Sequence, residues 1–159
     1  LRRYFIRSKH KNEKGQSLVE FALVLPILVL LILGIIDFGM IFHGYVTVNT
    51  AAREGARHGV VEKYDDENGE EEVVDVERVV DVILGVTGTL PGGDSKLEIL
   101  INGETAYENE EVKSPTFPGS GDDMKITVIY DYELITPLPA FTGISDALNL
   151  TGEITMVRE

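Results

Sequence analysis

The sequence predicts an α+β protein: a long N-terminal transmembrane helix, then a small extracytoplasmic domain with an amphipathic helix and an antiparallel sheet of three or four strands. Three observations predict it. From Phe21 to Ile36 no residue is charged, and apolar character resumes at Phe38, Met40, Ile41 and Phe42. Apolar residues then recur at helical spacing between Glu71 and Val86. Beyond Pro91, short or alternating apolar runs are separated by glycine, proline and asparagine, the pattern of strands and turns.

Charge orients the first element. Six Lys or Arg residues (Arg2, Arg3, Arg7, Lys9, Lys11, Lys14) precede Gly15 against Glu13 alone, so this leader carries +5. The chain totals −13, which leaves −18 for everything after the leader. A basic flank inside and an acidic domain outside is what the positive-inside rule predicts. Nucleic acid is excluded as a partner of the large domain, which would repel phosphates. The chain has no cysteine, hence no disulfide, no cysteine-based metal site and no lipid anchor on a thiol. The charge and hydropathy steps divide it into a cytoplasmic leader at 1–15, a membrane-crossing and extended helix at 16–62, and an acidic head at 63–159.

A helix rises ~1.5 Å per residue and needs about 20 residues to cross ~30 Å of hydrocarbon. The stretch from Phe21 to Phe42 is sufficient, with Asp37 near the outer interface, where water is expected to reach it, and His43 and Tyr45 at headgroup level. The apolar run exceeds that of a removable signal peptide, and no small-residue cleavage pattern follows it. One carboxylate, Glu20, breaks the start of the run; a charge so close to lipid is costly and asks for a partner, unless it snorkels to the inner interface. Pro26 removes one backbone donor and crowds the preceding turn, so a kink or loosened turn is expected there.

The residues GQSLVEFALVLPILVLLILGIIDFG (from Gly15), followed by NTAAREGAR, resemble the TadE-like family, the minor pseudopilins of tight-adherence (Tad, or Flp) pili. The resemblance runs from about Gly15 to Arg57 and includes Pro26, Asp37-Phe38-Gly39 and the Ala51-Ala52-Arg53-Glu54-Gly55-Ala56-Arg57 block; Met40 stands where the family often has a basic residue. It implies a structural protein, cut by a prepilin peptidase between Gly15 and Gln16. Glu20 then becomes the fifth mature residue and Phe21 the sixth. The implied partners are membrane lipid, that peptidase, other pilins or pseudopilins and the pilus assembly platform. The implied location is the bacterial cell membrane, or the extracellular pilus after assembly. An uncleaved signal anchor carrying a binding or adhesion domain explains the basic flank and the apolar run, but not Gly15 or Glu20.

From Tyr45 to Val60 the helix is expected to continue. Ala51, Ala52, Gly55, Ala56 and Gly59 place small residues four apart, so another surface can approach closely: a neighbouring subunit, or this chain's own head. Arg53 and Arg57 share a face from which to meet the neighbours of Glu54 or acidic groups of the head. The acidic segment around Gly69 resembles a calcium loop only superficially, because Tyr64 falls where the first carboxylate is required, and a solvated turn is expected.

In the head, Val73, Val76, Val80 and Ile83 give the helix over Glu71–Val86 an apolar stripe, and Gly85, Gly88 and Pro91-Gly92-Gly93 are expected to end it. Lys96–Ile101 and Glu104–Tyr107 read as strands joined by the hairpin signal Asn102-Gly103. Lys125–Leu134 is the strongest strand, with Ile126, Val128, Tyr130 and Tyr132 on one face. Glu153–Arg158 alternates similarly. The residues between, through Phe141, Ile144 and Leu148, read as a loop with a helical turn. Such a head on a long N-terminal helix is also what the resemblance to pilins implies.

Catalysis is not expected. The three histidines, His10, His43 and His58, all precede the head, which excludes a Ser-His-Asp arrangement or a His-based metal site there. Glu110-Glu111 and Asp122-Asp123 sit in polar, turn-rich stretches, and no Gly-rich phosphate loop is present, so no cofactor is expected. Asn149-Leu150-Thr151 matches a glycosylation sequon, a pattern common by chance.

Overall fold

A computed structural model of the chain describes residues 13–61, 75–119, 121–136, 143 and 147–158. Helix α1 spans Glu13–Val61 and helix α2 spans Val76–Thr87. Five strands follow: β1 Leu97–Ile101, β2 Glu104–Glu108, β3 Glu111–Val112, β4 Asp123–Glu133 and β5 Ala147–Val157. The acidic segment around Gly69 lies outside the described residues, as does the stretch holding Phe141 and Ile144.

Helix α1 has 49 residues, so it is about 74 Å long. Its two halves have opposite surroundings. From Leu18 to Ile36 nearly every large apolar side chain is exposed, and none of the most apolar window is buried within the protein. Water would not tolerate such a surface on a monomer. Among the described residues this is the one helix long and apolar enough to cross a membrane, which corresponds to a single pass. Helical conformation continues through Pro26; the proline removes the one backbone bond that its N–H would have given to the Ala22 carbonyl.

The second half of α1 is a layer of the head. Asp37, Gly44, Val48, Ala51, Ala52, Gly55, Ala56 and Gly59 fall on one face of the helix and are buried, while Phe38, Phe42, Tyr45, Arg53 and Arg57 face outward. The buried stripe lies on an antiparallel sheet of order β3-β2-β1-β4-β5, beside α2. Both helices cover one face of the sheet, giving two layers around one core. Met124, Ile126, Val128, Tyr130 and Tyr132 of β4 point into it, and Val79, Val80 and Ile83 of α2 close it.

Four contacts fix the polarity of β4 relative to α1. Gly59 packs on Met124, Gly55 lies near Ile126, Gly44 lies near Tyr130, and Asp37 meets the residues just after β4. β4 therefore runs antiparallel to α1, back toward the apolar half of the helix. β5 pairs with β4 along its whole length, from Asp123↔Val157 to Glu133↔Ala147.

Several elements differ from expectation for identifiable reasons. Helix α2 begins at Val76 because the Asp75 side chain caps it, accepting from the Glu77 N–H at 3.0 Å and the Arg78 N–H at 3.4 Å; residues 71–74, with Val73, lie outside the described residues. Gly85 sits inside the helix on an open surface, where glycine costs only about 1 kcal/mol, and the burial of Ile83 and Thr87 on either side outweighs that. The helix ends at Gly88, whose N–H bonds the Leu84 carbonyl at 2.9 Å.

The sheet has a fifth strand, the two-residue β3. β5 starts at Ala147, so Leu148 belongs to a strand and not to a loop. Its inward residues are Leu148, Leu150, Gly152, Ile154 and Met156, and the glycine hides the alternation. The Asn102-Gly103 hairpin is present as expected. Both residues have positive φ, 52° and 86°, and they join Ile101 to its partner Glu104.

Candidate functional site

Two regions of α1 concentrate the residues that the sequence marks out: its N-terminal end and its junction with the head. At the N-terminal end Gly15 has nothing within 4 Å of where a side chain would stand, and Phe21 is exposed. The Gln16 amide donates to the Glu20 carboxylate at 3.1 Å, one helical turn away. Glu20 is exposed, and among the described residues its carboxylate is met by a neutral group only. No described residue of the head reaches this end of the helix, so its surface is left to lipid or to other chains.

The junction is built around Asp37, which is 2 % exposed. Water does not reach it, contrary to its expected interfacial solvation. The head supplies the hydrogen bonds instead. The Ile135 N–H donates to Oδ1 at 3.3 Å, and the Thr136 hydroxyl donates to Oδ2. A carboxylate near the lipid boundary is costly, and protein donors replace the hydration it has lost. The Tyr132 hydroxyl is buried close by with no well-formed hydrogen bond of its own. Burial first, and then the negative charge of Asp37, push the Tyr132 pKa above its usual value. Sequence reasoning misses Ile135, Thr136 and Tyr132 as site residues. They lie about a hundred positions from Asp37, and an isolated acid in an apolar run signals only that some partner is needed.

The small-residue stripe is accounted for within the chain. Ala51, Ala52 and Ala56 are fully buried, and Ile83 and Met124 pack directly against Gly55 and Gly59. In the single chain these positions are covered by its own head. The outward residues of the same block remain available: Arg53 is exposed, and Arg57 makes a long 3.9 Å contact with Glu54. Among the described residues no group of three or more His, Asp or Glu side chains is placed to hold a metal. A polar depression on the open face of the sheet is lined by Ser95, Lys96, Glu98, Glu108 and Asp131, and the Ser95 hydroxyl donates to the Gly92 carbonyl at 2.9 Å.

Comparison with known proteins bears on the same helix. Residues 15–57 match the family model of the TadE-like proteins, which are associated with Tad pili. The match opens at the glycine preceding Gln16 and closes at Arg57, so it covers the apolar half, Asp37 and the block packed on the head. No curated protein and no solved structure matches the chain.

Proposed function

We propose that this protein is a minor pseudopilin of a Tad (Flp) pilus: a structural subunit without catalytic chemistry, cut between Gly15 and Gln16 by a prepilin peptidase and built into the pilus through α1. The observation that carries the reading is the TadE-like match over a helix whose N-terminal half is apolar, exposed and devoid of contacts from the described residues of its own head. The basic leader favours a cytoplasmic N-terminus and an extracytoplasmic head.

Cleavage would free an α-amine at Gln16, about 6 Å along the helix axis from Glu20. In a bundle of such helices an unpaired carboxylate costs several kcal/mol. Pairing the Glu20 of one subunit with the Gln16 amine of the next removes that cost and sets the stagger between subunits. The neutral Gln16–Glu20 contact of the single chain is weak enough to be exchanged for it. Pro26 supports the reading as well, since a helix missing one backbone bond is more easily drawn from the bilayer.

The test is co-expression with a prepilin peptidase, followed by intact mass and N-terminal sequencing. The expected product starts at Gln16, and Gly15→Leu abolishes it. Glu20→Ala should still be cut but enter pili poorly. Recovery of uncut protein with the wild-type residue at Gly15 would overturn the proposal in favour of a signal-anchored binding domain, and normal pilus entry of Glu20→Ala would overturn the assembly role given to Glu20.

A further inference from the structure

We infer that the head does not hang free above the membrane but is seated on the outer leaflet, with Ile135 inserted at the lipid boundary beside α1. This rests on α1 being the membrane span, and not on the protein's entry into a pilus.

Continuity comes first. No linker separates span from head, because the same unbroken helix serves both, and its head-facing stripe begins at Asp37, directly after the apolar run. The lipid boundary can be placed by length. Taking about 20 residues for ~30 Å of hydrocarbon, a span starting at Ser17 ends at Ile36, and one starting at Phe21 ends at Met40. In either register Asp37 lies within about 5 Å of the boundary.

Asp37 is also the point at which the head is tied to the helix. Because β4 runs antiparallel to α1, its C-terminal end points down toward the membrane, and the Ile135 and Thr136 donors hold that end level with Asp37. At this level the head exposes an aliphatic side chain: Ile135 is 66 % exposed. The neighbouring outward residues of α1, Phe38 and Phe42, are 70 % and 60 % exposed. An exposed apolar side chain of the head, held level with exposed apolar residues of the span, is covered most simply by the same lipid. The tie at Asp37 then has a mechanical consequence. It fixes the height and tilt of the head, so that the sheet stands upright with the end of β4 against the bilayer.

The chain lacks cysteine and tryptophan, so single introduced probes report cleanly. Full-length Ile135→Cys, Leu28→Cys and Val112→Cys, each carrying an environment-sensitive fluorophore, would be reconstituted as one copy per phosphatidylcholine nanodisc. All three positions are exposed on the protein, at the head's lower end, within the span and on β3 respectively. The expected result is that the Ile135 probe, like the Leu28 probe, is quenched by doxyl-labelled lipid and shows a several-fold lower iodide quenching constant than the Val112 probe. A protected Leu28 with an Ile135 as open to iodide as Val112 overturns the seat while leaving the span intact. An iodide-accessible Leu28 overturns both. Protection of Ile135 that arises only in membranes carrying many copies assigns it to a subunit contact and likewise overturns the seat.

Discussion

Gly152 of β5 lies directly against the Val48 backbone of α1: a methyl group built on the glycine would stand 2.5 Å from the Val48 carbonyl oxygen and 2.7 Å from the Asn49 nitrogen. Helix and sheet meet here backbone to backbone, and the helix can reach the sheet only because this position has no side chain. The other close approaches, at Gly44, Gly55 and Gly59, are to the ends of flexible side chains, Leu150, Ile83 and Met124.

That contrast orders a set of substitutions. Gly152→Ala must push helix from sheet and is expected to cost about 1–3 kcal/mol of stability. Gly59→Ala needs only the Met124 methyl to swing away, and it gains up to about 1 kcal/mol of helix propensity, so it should be close to neutral. Denaturant melts of the two variants in detergent decide the matter; equal losses would mean that the helix seat is not set at Gly152.

The Asp37 tie predicts coupling across the chain. Asp37→Ala leaves the part-buried Ile135 N–H and the buried Thr136 hydroxyl without their acceptor, at about 1–3 kcal/mol. Thr136→Val removes one of the two donors. A double-mutant cycle should return an interaction of about 0.5–3 kcal/mol. Simple additivity of the two losses would show that the contact contributes nothing.

Alkaline pH should destabilise the head. Burial is the leading cause that raises the pKa of Tyr107, Tyr130 and Tyr132, with acidic neighbours adding to it: Asp94 and Glu110 at Tyr107, Glu133 at Tyr130, Asp37 at Tyr132. Unfolded tyrosines release their protons at about pH 10, while these three keep theirs. Above that pH the unfolded chain binds fewer protons than the folded one, so stability is intact below about pH 10 and falls as pH rises through the folded pKa values. An ultraviolet titration paired with denaturant melts measures both sides. Ionisation of every tyrosine in a single step near the ordinary value, with flat stability, is the contrary outcome.

The hairpin offers a cleaner backbone test. Gly103 has open space around it, and its φ is 86°, so Gly103→Ala meets no clash and its cost is purely conformational. The expected loss is about 1–2 kcal/mol, at the turn alone. Amide exchange should then quicken at the β1–β2 ladder while β4–β5 keeps its protection; uniform acceleration over the whole sheet would show that the turn is not a local unit.

Local pattern was enough for much of this molecule. The apolar run after a basic leader, the Asn102-Gly103 turn and the alternation of β4 each state their own outcome, because hydrophobic period and turn chemistry depend on adjacent residues. The TadE-like stretch was legible for the same reason, being one continuous helix. What distant residues share was left to the folded chain. That α2 and β4 close over the small-residue face of α1 is visible only in the folded chain. The approach of Val48 to Gly152 exists only in the folded chain, and Asp37 reads as hydrated until Ile135 and Thr136 arrive from the far end of the sequence. Burial and backbone approach are properties of pairs, and no single position carries them.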